Sequence, residues 1–135
     1  MRLDIRRTVH NSPQLPFERI AAAALPKGYQ LSLVICGDKL AQRMNKEYRL
    51  PALRAAQRAG KKTYRPNVLS FPLSQKEGEI FLNIRKAARE ARRMGISTNA
   101  RIAHLFVHGC FHLAGHRHGD RMDTLEKKVL RNFDF

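Results

Sequence analysis

The sequence predicts an α+β fold: one small mixed four-stranded sheet covered by about five helices, in a single domain. Three observations support this. Strand-like runs occur both before and between helical patterns, so helices have a common sheet to cover. The length of 135 residues, with 43% hydrophobic content, suits one modest core. No internal repeat, low-complexity tract or interdomain linker divides the chain.

Residues 1–9 alternate apolar Leu3, Ile5 and Val9 with basic residues, the period of a strand. Ser12-Pro13 has the form of a helix start. Phe17, Ile20, Ala21, Ala24 and Leu25 then make a helical apolar stripe that Pro26 and Gly28 end. Gln30–Cys36, rich in branched side chains, reads as a second strand. Gly37-Asp38 opens a helix with Leu40, Ala41, Met44 and Tyr48 on one side.

Residues 50–66 are basic, bounded by prolines and without a clean period, which predicts a loop insert with a short helix at 52–59. Val68–Pro72 and Glu79–Leu82 read as strands joined into a hairpin by the Gln75–Gly78 turn. Helical periodicity returns from Asn83 to Met94, with Gly95 as its stop. Thr98 or Asn99 is placed to cap a helix from about 100 to 114, and a last helix covers 121–132.

The charge is lopsided. Against 11 acidic residues stand 26 Lys and Arg, a formal net charge of +15 that favours a polyanionic partner. A membrane surface is the weaker choice, because no apolar run approaches the roughly 20 residues of a spanning helix. Met-Arg-Leu-Asp-Ile-Arg-Arg at the start lacks the apolar centre of a signal peptide. Cys36 and Cys110 are expected as reduced thiols, and the expected location is the cytoplasm.

The densest chemistry lies in His108-Gly-Cys-Phe-His112-Leu-Ala-Gly115-His-Arg-His118. On a helix His108 and His112 share a face one turn apart and can grip one ion. Gly115 can take a left-handed conformation, turn the chain back and bring His118 to the same ion. His104 shares that helical face but sits a turn further from the bend, which reads as a supporting or core residue. His116 competes for the third ligand position with less chain to bend round. Three imidazoles leave a coordination position open, the mark of a catalytic ion. They suit one zinc per chain, and other divalent transition metals match the spacing too.

The same spacing occurs in metzincin peptidases, which need a glutamate after the first histidine as general base. Here that position is Gly109, so the peptidase mechanism lacks its base. Arg85, Arg89, Arg92 and Arg93 recur at i, i+4, i+7 and i+8 and form a basic stripe interrupted by Glu90. Arg54, Arg58, Lys61, Lys62 and Arg65 add a second cluster. Such side chains contact phosphates without reading sequence.

These residues resemble the YbeY family of bacterial endoribonucleases, whose pattern is close to HGxLHLxGYDH. A second signature, similar to NxxYR followed by PTNVLSFP, matches Asn45-Lys-Glu-Tyr48-Arg49 and then Arg65-Pro66-Asn67-Val68-Leu69-Ser70-Phe71-Pro72. Gly78-Glu79-Ile80 and Met122–Leu130 resemble a further strand and the closing helix, so the likeness spans about residues 30–131 in order. The resemblance implies metal ligation by His108, His112 and His118 and a functional role for Arg49. It also implies cleavage of single-stranded RNA in maturation of the 3′ end of 16S ribosomal RNA and in ribosome quality control, with ribosomal RNA, the ribosome or its small subunit as partner.

Three departures stand out. His116-Arg117 replaces the family's Tyr-Asp, the stretch between Arg49 and Asn67 is longer and more basic, and that between His118 and Met122 is shorter. Ser70 and Glu79 are the candidates for a general base. A different class of function, a non-catalytic zinc-containing RNA- or ribosome-binding assembly factor, shares the same residues and differs in lacking cleavage.

Overall fold

A four-stranded sheet organises the chain. In the computed structural model, which describes residues 1–48 and 66–135, its strands are β1 (Arg2–Arg7), β2 (Gln30–Cys36), β3 (Val68–Ser74) and β4 (Glu77–Asn83). The spatial order is β1-β2-β4-β3. β1 and β4 both run parallel to β2, with Leu3 beside Leu31 and Leu33 beside Ile80, and β3 returns antiparallel to β4. Parallel neighbours need crossovers, and helices supply them.

Five helices occur among the described residues: α1 (Phe17–Ala24), α2 (Asp38–Tyr48), α3 (Ile84–Met94), α4 (Thr98–Leu113) and α5 (Asp120–Asn132). Leu31, Leu33 and Ile35 of β2 and Ile80 and Leu82 of β4 project from one face. There they meet Phe17 and Ile20 of α1 and Ile102 and Phe106 of α4. On the reverse face Val34, Cys36, Phe81 and Leu69 pack on Ala41 of α2. The expected mixed sheet with helical cover is therefore present, and α4 lies over its β3–β4 side.

Local differences from the expected elements have physical causes. α1 starts at Phe17 rather than at Ser12-Pro13. Pro16 disfavours helical geometry in the residue before it, which favours a helix that begins after Pro16 over one that runs on from residue 12. Ser97, not Thr98 or Asn99, caps α4, its side-chain oxygen accepting the Ala100 N–H at 3.0 Å. β3 and β4 are longer than expected, meeting at a tighter turn around Gln75 and Lys76. Gly95 ends α3 as expected, whereas Asn83, expected as its first residue, stands just outside as the N-cap and accepts from the Lys86 N–H. The expected insert at 50–66, with its helix at 52–59, lies outside the described residues except for Pro66. Among the described residues no helix is long and apolar enough to cross a membrane.

Candidate metal centre

α4 has two opposed characters. Ile102, Phe106 and Cys110 are fully buried toward the sheet, and His104, His108 and His112 lie on the other side. The helix then ends in a Schellman motif. The His116 N–H donates to the Phe111 carbonyl and the Gly115 N–H to the His112 carbonyl, each at 3.0 Å, with Gly115 at φ +92°. The accompanying side-chain contact is His116 against Phe111, with ring centroids 5.3 Å apart. That contact occupies His116 and leaves the third position to His118.

The turn delivers His118 to the pair. Its ring centroid lies 4.8 Å from that of His108 and 4.4 Å from that of His112. One nitrogen of each of the three rings falls within 4.8 Å of the others, and no other such group occurs among the described residues. His108 Nε2 and His112 Nε2 are 3.1 Å apart. Zinc–nitrogen bonds of about 2.0–2.1 Å at tetrahedral angles place two ligand nitrogens about 3.3 Å apart, so the donor set fits such an ion. Replacing Gly115 with alanine forces a side chain into the left-handed region at a cost of about 1–2 kcal/mol. The expected result is a melting temperature a few degrees lower for the metal-free protein, checked by thermal unfolding.

α5 contributes a residue that the sequence reading missed. Glu126 is only 3% exposed, and its Oε1 lies 2.6 Å from His108 Nδ1. Its Oε2 lies 3.3 Å from His104 Nε2. A carboxylate behind a ligand imidazole fixes ring orientation and raises basicity. The signal was available, because Glu126 falls between Met122 and Val129 on the buried stripe of α5. His104 stands apart from the three converging imidazoles and contacts Glu126 instead. Arg101, also missed, donates from Nη1 to His104 Nδ1 at 3.1 Å and pairs with Glu90 at 3.1 Å.

A cavity of about 740 Å³ opens over the histidines, with Ser70, Arg101 and Asp123 in its walls. Ser70 Oγ donates to the Gly109 carbonyl at 3.3 Å. Glu79 does not join it. Its neighbour Ile80 is buried beneath α4, and side chains alternate along a strand, so Glu79 faces the other side of the sheet. The arginine stripe also stands apart from the cavity. Arg85 lines a separate hollow with Lys39 and Arg43, and Arg92 and Arg93 are exposed. Arg89 makes a two-pronged pair with Asp38 at 3.0 and 2.7 Å, which occupies its guanidinium. Arg49 lies outside the described residues.

The cysteines take no part. Both are buried and free, and burial pushes the Cys36 thiol up to about 11 and that of Cys110 further up.

A family model described as Endoribonuclease YbeY matches residues 8–134. The chain belongs to the YbeY family. A relative from Heliobacterium modesticaldum named Endoribonuclease YbeY is 34% identical over 141 aligned positions, covering 92% of this chain and 85% of its own. One of the same name from Aromatoleum aromaticum is 33% identical over 125, covering 87% and 74%. The solution structure of TM1509 from Thermotoga maritima shares the fold, with a TM-score of 0.68 at 19% identity over 97% of this chain and 88% of that one. Against the YbeY pattern noted above, this chain exposes Arg117 where the family carries an acid, and His116 spends its ring on Phe111.

Proposed function

We propose that residues 1–135 act as one zinc-dependent endoribonuclease domain, with a basic insert at about 50–66. Its substrate is single-stranded ribosomal RNA, cut during ribosomal RNA maturation and quality control in the cytoplasm. The observation that carries this reading is the convergence of three imidazoles at an open cavity, in a chain whose relatives are named endoribonucleases. His108, His112 and His118 hold the ion, and neutral nitrogen donors favour zinc among the divalent metals. When bound there, zinc supplies Lewis acidity toward a phosphoryl oxygen and a nucleophile available near neutral pH.

The chain's own residues supply the rest. Glu126 holds His108 by accepting its Nδ1–H, so that Nε2 faces the ion site. Arg49 is the proposed contact to the phosphoryl oxygens, where its planar fork can stabilise developing negative charge. Exposed Arg85, Arg92 and Arg93 offer phosphate contacts outside the cavity, with the ribosome or its small subunit as the partner they serve. Arg89 contributes less, because Asp38 already neutralises it.

Cleavage of a single-stranded oligoribonucleotide is expected to stop after chelation and to return on adding zinc. Full cleavage by protein shown to be metal-free overturns the proposal. RNA binding without cleavage by the zinc-loaded protein selects the assembly-factor reading instead. The end left on the 5′ product separates attack by water from attack by the RNA 2′-hydroxyl, since only the latter yields a cyclic phosphate.

A further inference from the structure

We propose that Arg101 is a positioning residue that, by fixing the orientation and tautomer of His104, holds the Glu126 carboxylate against His108 Nδ1. The inference rests on the reading of His108, His112 and His118 as a metal centre and goes beyond it to the residues that prepare one ligand.

The assignment follows from donor and acceptor chemistry. A guanidinium has five N–H donors and no acceptor. Arg101 Nη1 lies 3.1 Å from His104 Nδ1, so that nitrogen must be the acceptor and carry no hydrogen. The neutral His104 ring then has its hydrogen on Nε2, the atom 3.3 Å from Glu126 Oε2. Glu126 is buried, and its second oxygen sits 2.6 Å from His108 Nδ1. An ionised carboxylate only accepts, so His108 donates from Nδ1 and keeps its lone pair on Nε2. That is the nitrogen facing His112 Nε2 at 3.1 Å.

The opposite arrangement is costly at both ends. A hydrogen on His104 Nδ1 would set two donors against each other and leave the oxygen of the buried Glu126 facing a lone pair of the partly exposed His104 ring.

Arg101 is itself anchored. Its Nε and Nη2 each lie 3.1 Å from Glu90 Oε1, and Asn67 Nδ2 donates to the same carboxylate at 3.2 and 3.3 Å. Its side chain is only 14% exposed. The chain of contacts therefore runs from α3 through α4 to α5 and ends at Nδ1 of His108, the ring nitrogen opposite the one that faces the ion site. An arginine in the wall of a cavity proposed to take RNA would ordinarily read as a phosphate clamp. Here Nε, Nη1 and Nη2 all have partners within the protein, which assigns it a different task.

The test compares wild type with Arg101→Met and Arg101→Lys, the last keeping a donor-only group beside His104. Imidazole nitrogen NMR of metal-free protein at mildly alkaline pH should show wild-type His104 protonated on Nε2 and His108 on Nδ1. Arg101→Met should mix the His104 tautomers and weaken zinc binding, measured against a competing chelator, by roughly 10–100-fold. Arg101→Lys should restore most of both. RNA affinity of the metal-free proteins should stay within about twofold, as expected of a residue that makes no phosphate contact.

Unchanged tautomers and zinc affinity in a folded Arg101→Met protein overturn the proposal. So does a loss confined to RNA binding. The assigned tautomers in a wild-type protein that binds no zinc would defeat the metal-centre reading alone. Zinc binding with His104 protonated on Nδ1 would defeat the tautomer chain alone.

Discussion

His112→Ala is expected to lower RNA cleavage by about 1,000-fold or more while leaving the fold intact. The first half follows from coordination number. With His112 gone, two imidazoles remain, and a two-ligand site does not retain zinc against water or buffer as a three-ligand site does. Arg49 alone cannot replace what the ion supplies. The second half follows from position. His112 is half-buried at the cavity edge, and the packed side of α4 is carried by Ile102, Phe106 and Cys110. Truncating an imidazole there leaves no core cavity, so the stability change stays within about 1 kcal/mol. Metal content per chain and initial cleavage rate, measured on the same preparation, check both halves. Wild-type cleavage by a metal-depleted His112→Ala protein would remove the metal centre from the mechanism.

The residues most legible in the sequence were those whose geometry is local. His108 and His112 are related by one helical turn, and Gly115 announces the bend that returns His118, so spacing alone carried the site. The strands were legible for the same reason, since Gln30–Cys36 shows its branched apolar character without reference to anything distant.

What escaped depends on contacts between elements. Glu126 reaches His108 across 18 residues and Arg101 reaches Glu90 across 11; the stripe of α5 marks Glu126 as buried, but no periodicity names either partner. Arg89 was legible as part of a basic stripe, yet its partner Asp38 is 51 residues away. The stripe is real as a helical face, but one of its four charges is already spoken for. Glu79 shows the converse limit, because its chemistry suited a base and only the alternation of β4 revealed that it faces away from the histidines.

Gly109 supplies the second large expected effect. Gly109→Glu recreates the peptidase pattern of a glutamate after the first histidine, and it is expected to unfold the protein or bring it close to unfolding rather than confer peptidase activity. A Cβ at this position would stand 3.0 Å from Ser70 Oγ, 3.2 Å from Ile80 Cδ1 and 3.3 Å from Val68 Cγ2. Residue 109 therefore faces the sheet, not the ion site. Its missing side chain is what lets α4 approach β3 and β4 closely enough for Ser70 to donate to the Gly109 carbonyl. A glutamate there would push the helix off the sheet and bury a carboxylate beside Ile80 and Val68. Overpacking costs about 1–3 kcal/mol and a buried unpaired charge several more. The sum, about 4 kcal/mol or more, is a large fraction of the 5–15 kcal/mol that holds an ordinary domain together. Gly109→Ala separates the contributions, since it adds the close contacts without the charge and gains up to about 1 kcal/mol of helix propensity in return. Chemical denaturation of the three proteins should rank them wild type, alanine, glutamate, with the glutamate form far below the others. A stable glutamate variant would mean that the helix can lift from the sheet at little cost, and that the absence of a general base at this position has a cause other than packing.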